Sequence, residues 1–195
     1  MKSRGLKKEV RVIGIDDISF DKFNDKTTKI LGVIYRGGHF MDGVVSETIK
    51  VDGNDSTEKI ISMIINSRFS KQIKYIMLDG IAVGGFNVID VELLSRKTGL
   101  GVVVVMRDYP QIIKIKQNLE NLGMKEKIPL LKSAGSIHKL DFEDGVIYFQ
   151  NCGLKKENAE ELLRVTCTHS LIPEPIRVAH LMGQGIVLGE SKGSG

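Results

Sequence analysis

The segment GVVVVM, residues 101–106, sets four consecutive valines between KTGL and RDY. A β-branched run of this kind reads as a strand. Because alternate side chains leave a strand on opposite faces, four valines in a row need cover on both sides. The preceding segments supply a partner and a cover: IKYIMLDG, residues 73–80, reads as a strand and FNVIDVELLSRKTG, residues 86–99, as a helix. Strand, helix, strand is a crossover that pairs parallel strands and is nearly always right-handed. Upstream, EVRVIGID, TKILGVIYRGG and HFMDGVVSETIKVDG read as three strands, with Gly37 and Gly38 turning between the last two, which predicts an antiparallel meander. Between meander and crossover, DSTEKIISMIINSRF carries Ile60, Ile61, Ile64 and Ile65 at helical spacing.

Downstream, YPQIIKIKQNLENLG reads as a helix, GVIYFQN as a strand, and KKENAEELLRVTCTH and PEPIRVAHLMGQGIVLG as two helices, while Lys125 to Asp144 is not legible. With no internal repeat or linker, residues 10–195 are expected to form one mixed α/β domain behind a basic tail, residues 1–9, whose composition suits a flexible arm. Three antiparallel strands followed by parallel α/β units is the order of the ribonuclease H-like folds. No apolar run reaches the roughly 18 residues of a membrane span, and the start MKSRGLKKEV has no apolar signal core, so a cytoplasmic protein is expected. Two cysteines, Cys152 and Cys167, are too few for a disulfide framework. A net charge of +4 and a pI near 9.0 suit a nucleic-acid partner without demanding one.

Two strands end in acid. RVIGIDD closes on Asp16 and Asp17, which leave the strand on opposite faces, so at most one of them serves a given site. YIMLDG closes on Asp79. In a ribonuclease H-like order the first strand lies beside the strand that follows the first helix, so Asp16 and Asp79 are expected to meet. Paired carboxylates stay ionised only beside a cation or donors, and oxygen ligands select Mg²⁺ or Mn²⁺. Asp16 is thus a candidate ligand, and Asp17 a turn residue or second-choice acid. VDGNDSTEKII offers a third acid among Asp52, Asp55 and Glu58. Asp55 and Glu58 also have capping-box spacing, a role that does not exclude a second one at the strand ends.

These segments resemble endonuclease V and, more closely, an uncharacterised and mainly archaeal family known as domain of unknown function ninety-nine. VIGIDDISF is similar to the first metal-ligand strand of endonuclease V, and YIMLDG with the helix and buried strand behind it to its aspartate-glycine segment. The resemblance implies a Mg²⁺- or Mn²⁺-dependent phosphodiester hydrolase on DNA or RNA with Asp16 and Asp79 as ligands. It puts the glutamate of endonuclease V twenty-one residues before Asp79, at Glu58, and its lysine at Arg107, which would contact a phosphate. Gly84 and Gly85, in the glycine-rich DGIAVGGFN, would let backbone approach the nucleic acid. The Pro-Glu-Pro segment at residues 173–175 matches some members, and gapless pairing through it sets Cys152 where endonuclease V has its late histidine.

The chain also departs from that pattern. SETIKVDGNDST replaces the wedge segment that separates strands beside a deaminated base, and the glycine loop lacks a histidine. His39 reads as an exposed turn residue and His169 as a helix-end residue; His138 and His180 show no partner in the sequence. The alternative function is a non-catalytic protein that keeps the fold and binds nucleic acid or a nucleotide in the glycine-lined cleft.

Overall fold

The computed structural model describes residues 9–192; the basic segment KSRGLKK lies outside the described residues. Strands β1 (Arg11–Asp17), β2 (Thr27–Arg36) and β3 (Phe40–Lys50) form the expected meander, antiparallel throughout. Helix α1 (Ser56–Ile65) leads to β4 (Tyr75–Asp79), and α2 (Val91–Thr98) to β7 (Gly101–Met106). Between β4 and α2 stands a small hairpin, β5 (Ala82–Val83) and β6 (Asn87–Val88). Then come α3 (Ile112–Asn121), a 3₁₀ helix (Lys125–Lys132), β8 (His138–Phe142), β9 (Gly145–Cys152), α4 (Lys156–Thr166) and α5 (Glu174–Leu188). Seven strands make one mixed sheet, β3-β2-β1-β4-β7-β9-β8, in which β1, β4 and β7 run parallel. No helix of the described residues is long and apolar enough to cross a membrane.

The valine run occupies the middle of this sheet, 0–2% exposed. Val102 and Val104 pack with Ile60 and Ile64 of α1 and Leu94 of α2; Val103 and Val105 pack with Leu162 of α4 and Ile176 of α5. Both faces are covered, as an unbroken apolar strand requires.

Several expectations need correction. The helix expected over residues 86–99 starts only at Val91, because Asn87 and Val88 pair as β6 and Asp90 caps α2, its Oδ1 accepting from Leu93 N at 2.9 Å. Ile65, counted on the buried face of α1, is 49% exposed. Asp55 sits at the N-cap of α1 but makes no capping bond; its carboxylate accepts instead from Asn87 Nδ2 at 2.7 Å and from Lys50 N. The illegible stretch holds the 3₁₀ helix and edge strand β8.

Two contacts fix the parts around the sheet's carboxyl end. Lys127, from the 3₁₀ helix, is 2% exposed, and its Nζ donates to the carbonyls of Asp52 (2.7 Å), Gly53 (2.8 Å) and Phe86 (2.8 Å). One ammonium so ties the β3–α1 turn to the β5–β6 turn. On the opposite face α5 lies directly against β1. A Cβ on Gly14 would stand 2.3 Å from the backbone carbon of Pro175, far inside van der Waals contact. Gly14→Ala is therefore expected to lower the unfolding free energy by about 1–3 kcal/mol, the usual range for overpacking. Gly185→Ala, where a Cβ meets nothing within 4 Å, serves as control and should hold or gain stability. Urea unfolding decides it, and a Gly14→Ala variant as stable as wild type would sink the close-contact argument.

Candidate metal centre at the carboxyl ends of β1 and β4

Parallel pairing of β1 with β4 sets Ile15 opposite Leu78, so the next residues, Asp16 and Asp79, leave the sheet side by side. Strand alternation turns both carboxylates to one face. Asp16 shares the side of Val12 and Gly14, and Asp79 that of Met77, which is the face covered by α5. From α5, His180 reaches the same point, its Nδ1 2.9 Å from Asp16 Oδ2. Asp16, Asp79 and His180 each offer a ligand atom within 4.8 Å of the others. This separation is close to the span, about 4.2 Å, of two opposed ligands at the 2.0–2.1 Å distances of Mg²⁺. Two carboxylates and one imidazole suit a small divalent cation.

The three groups are held differently. Asp16 is 7% exposed, and its Oδ1 accepts from Asp17 N at 2.9 Å. The other ring nitrogen of His180, Nε2, faces Gln184 Nε2 at 2.9 Å, while Gln184 Oε1 accepts from Lys192 N at 2.8 Å. An amide N–H pointing at Nε2 suits a neutral ring with its proton on Nδ1. The hydrogen bond to Asp16 raises the His180 pKa, whereas a proton on Nε2 would require the Gln184 amide to turn and give up Lys192. Asp79 accepts no hydrogen bond among the described residues; burial, then the charge of Asp16, pushes its pKa up from 3.8 to about 6, against Arg107 and His180.

Asp17 leaves β1 on the other face, where it accepts from the backbone N–H of Gly84. Burial first, then the nearby Asp16 and Asp79, raises it to about 6 in spite of that bond. Gly84 is buried, and both glycines have positive φ, 56° and 81°. A Cβ on Gly85 would lie 2.3 Å from Asp52 Oδ1. Gly84 N is thus engaged by Asp17, and Gly84 O accepts from Asp52 N at 2.8 Å. Asp52 in turn takes Phe86 N at 2.7 Å and supports the loop.

Glu58 is exposed in the first turn of α1, outside the cluster. Helix α1 packs on Ile13 and Ile15, the face opposite the one to which Asp16 and Asp79 turn. Arg107 is exposed just beyond β7, near enough for its charge to bear on Asp79 and His180, and forms no hydrogen bond or ion pair among the described residues. Cys152 requires a correction. It pairs with Val102 near the start of β7, whereas Asp79 pairs with Val105 near its end, so the thiol lies at the far end of the sheet. The histidine of this site is His180, which sequence reasoning left without a partner. Its only local signal is Gln184 one turn later on the same helix face.

A UPF0215 protein of Methanothermobacter thermautotrophicus is 42% identical over 193 residues, 98% of this chain and 94% of the relative. One from Methanosarcina acetivorans is 47% identical over 191 residues, 96% of each. Among solved structures, a protein of unknown function from Archaeoglobus fulgidus superposes with a TM-score of 0.81 at 38% identity, covering 91% of this chain and 98% of that one. Endonuclease V of Ciona intestinalis, bound to a 24mer DNA containing an inosine followed by a ribo-adenosine, gives 0.63 at 13% identity, covering 96% and 89%. The last likeness shows that the mixed sheet and its helices share the endonuclease V fold. Residues 8–187 match the Endonuclease dU family, and the chain belongs to it.

Proposed function

We propose that this chain, folded as one domain over residues 10–195, is a Mg²⁺- or Mn²⁺-dependent endonuclease that cleaves DNA beside deoxyuridine. The observation that carries the reading is the convergence of Asp16, Asp79 and His180 on the face under α5. The family's description supplies the base, and the DNA-bound neighbour supports a nucleic-acid substrate. A cation held by these three residues would polarise the phosphodiester and lower the pKa of the attacking water.

The remaining work falls to the chain. Asp16, fixed by Asp17 N–H and by His180, orients the ring; Asp79, free of hydrogen bonds, turns to the cation. Without a cation His180 holds its proton on Nδ1; to serve as a donor to the cation Nδ1 would give up that proton, and Nε2 would carry it once Gln184 turned its carbonyl to the ring. Arg107 contacts a phosphate of the scissile strand. Glu58, exposed on the other side, does not serve as a ligand, and His180 supplies the third donor. Gly84 and Gly85 shape the loop beside the site.

Single- and double-stranded DNA carrying deoxyuridine, inosine or neither, with matched RNA, should be incubated with Mn²⁺ or Mg²⁺. Cleavage is expected at deoxyuridine and is expected to favour accessible strands. His180→Ala should lower it by about 10–100-fold, the usual cost of disturbing the residues that hold a metal. Nucleic-acid binding with no Asp79-dependent cleavage of any substrate would instead favour the non-catalytic reading.

The raised carboxyls give a second test, in metal-free buffer. A carboxyl with a folded pKa near 6 and a reference value of 3.8 binds protons more tightly when folded. Its stabilising contribution is complete below about pH 4 and is lost as pH rises through about 6. Relative to wild type, Asp79→Asn should therefore gain stability between pH 4 and pH 7 in EDTA and melt higher at pH 7. Added Mn²⁺ should reverse the order, because only the wild type keeps the full site. A variant that melts lower than wild type in EDTA at pH 7, or shifts equally with Mn²⁺, would count against a site at Asp79.

A further inference from the structure

Phe23 is 93% exposed, in the loop that leaves β1 directly after Asp16 and Asp17. The loop is stiffened from within. Asp21 accepts from Phe23 N (2.9 Å) and Asn24 Nδ2 (2.7 Å), and Asp21 N donates to Asp25 Oδ2 (2.7 Å). Its base is pinned by Ile18 N to Lys29 O at 2.9 Å and Thr28 Oγ1 to Ile18 O at 3.2 Å. An aromatic ring so presented has both faces free for a planar partner.

Its surroundings say which partner. An open groove beside it is lined by Lys22, Lys26, Lys50, Asp25 and Asp52. Asp25 is held by Asp21 N and Asp52 by Phe86 N, and the three lysines outnumber the two acids, so the groove keeps a formal charge of +1. Lys22 also lies over the Phe86 ring, 5.5 Å from its centroid, which links this groove to the glycine loop that holds Asp17. A partner that is flat, apolar on its faces and strung on negative charge is an unpaired nucleobase on its phosphodiester chain. Phe23 follows Asp17 by six positions, so their Cα atoms lie within about 22 Å of each other, a few nucleotides along one strand.

We infer that Phe23 is a stacking platform for an unpaired base of the substrate strand, with Lys22, Lys26 and Lys50 on its phosphates. The inference rests on the nucleic-acid reading above but not on catalysis. The exposure of Phe23 makes the test clean, since Phe23→Ala removes almost no packing and should unfold at the wild-type urea concentration. The chain has no tryptophan, so Phe23→Trp places a single indole reporter at the position.

A fluorescein-labelled single strand containing deoxyuridine is titrated in EDTA. Phe23→Ala should bind about tenfold more weakly than wild type. Phe23→Trp should bind like wild type, with indole emission quenched in step with anisotropy; an otherwise identical strand with abasic sites should bind without quenching. Unquenched emission at saturation, equal quenching by the abasic strand, or no binding of any strand would overturn the platform. Quenching without cleavage in the divalent-ion assay would uphold the platform and sink the nuclease reading. Cleavage without quenching would do the reverse.

Discussion

The backbone contact between β1 and α5 at Gly14 governs the carboxyl end of the sheet. Pro175 lies where any Cβ on Gly14 would stand, so α5 rests on the strand itself rather than on a layer of side chains. Gly183 extends the approach, with its Cβ position 3.2 Å from Ile18 Cα. Between these glycines the helix carries His180 into hydrogen-bond range of Asp16, two residues beyond Gly14 on the same face. A side chain at Gly14 would lift the helix by about an ångström, enough to break a 2.9 Å bond, whereas one at Gly183 would need a few tenths. The donor set depends on helix packing as much as on the residues that compose it.

The paired aspartates at the end of β1 are explained by strand alternation. Asp16 turns toward α5 and the cluster, and Asp17 turns toward the β5–β6 loop, where Gly84 N–H receives it. Without a cation the arrangement is under electrostatic tension, because burial and mutual repulsion raise both Asp17 and Asp79 to about 6. Part of that tension is relieved on the Asp17 side, where the carboxylate accepts from Gly84 N–H. On the Asp79 side no hydrogen bond opposes it among the described residues. Tension left at one ligand and relieved elsewhere is the pattern expected of a site completed by a bound ion.

The sheet was legible wherever hydrophobic pattern and element order agreed. The valines of β7, the meander and the crossover put Asp16 beside Asp79 because parallel neighbours end at one edge. Legibility failed where tertiary contacts decide. Asn87 and Val88 pair as a two-residue strand inside a helix-like pattern, and Asp55 has capping spacing but is drawn off by Asn87. Leu140 alone is buried in β8, too little for a strand signal. His180 is separated from Asp16 by 164 residues, a pairing that no local spacing announces. Counting along the chain pointed to Glu58 as the third acid and set Cys152 where endonuclease V has its histidine; Glu58 stands on α1, over the opposite face, and Cys152 pairs near the start of β7.

The division between what is fixed and what is presented follows the same geometry. Asp16, Asp79 and His180 stand on two central strands and a packed helix, so their mutual positions are set by the core. Arg107, Phe23 and the exposed Tyr109, edge-on to Tyr148 at 5.4 Å, project from loops around the same strand ends. Loop residues can change without moving the carboxylates, whereas a change at Gly14 cannot. The core therefore fixes the candidate metal centre, and the rim shapes the approach to it. A fold shared with endonuclease V at 13% identity is the outcome that division allows.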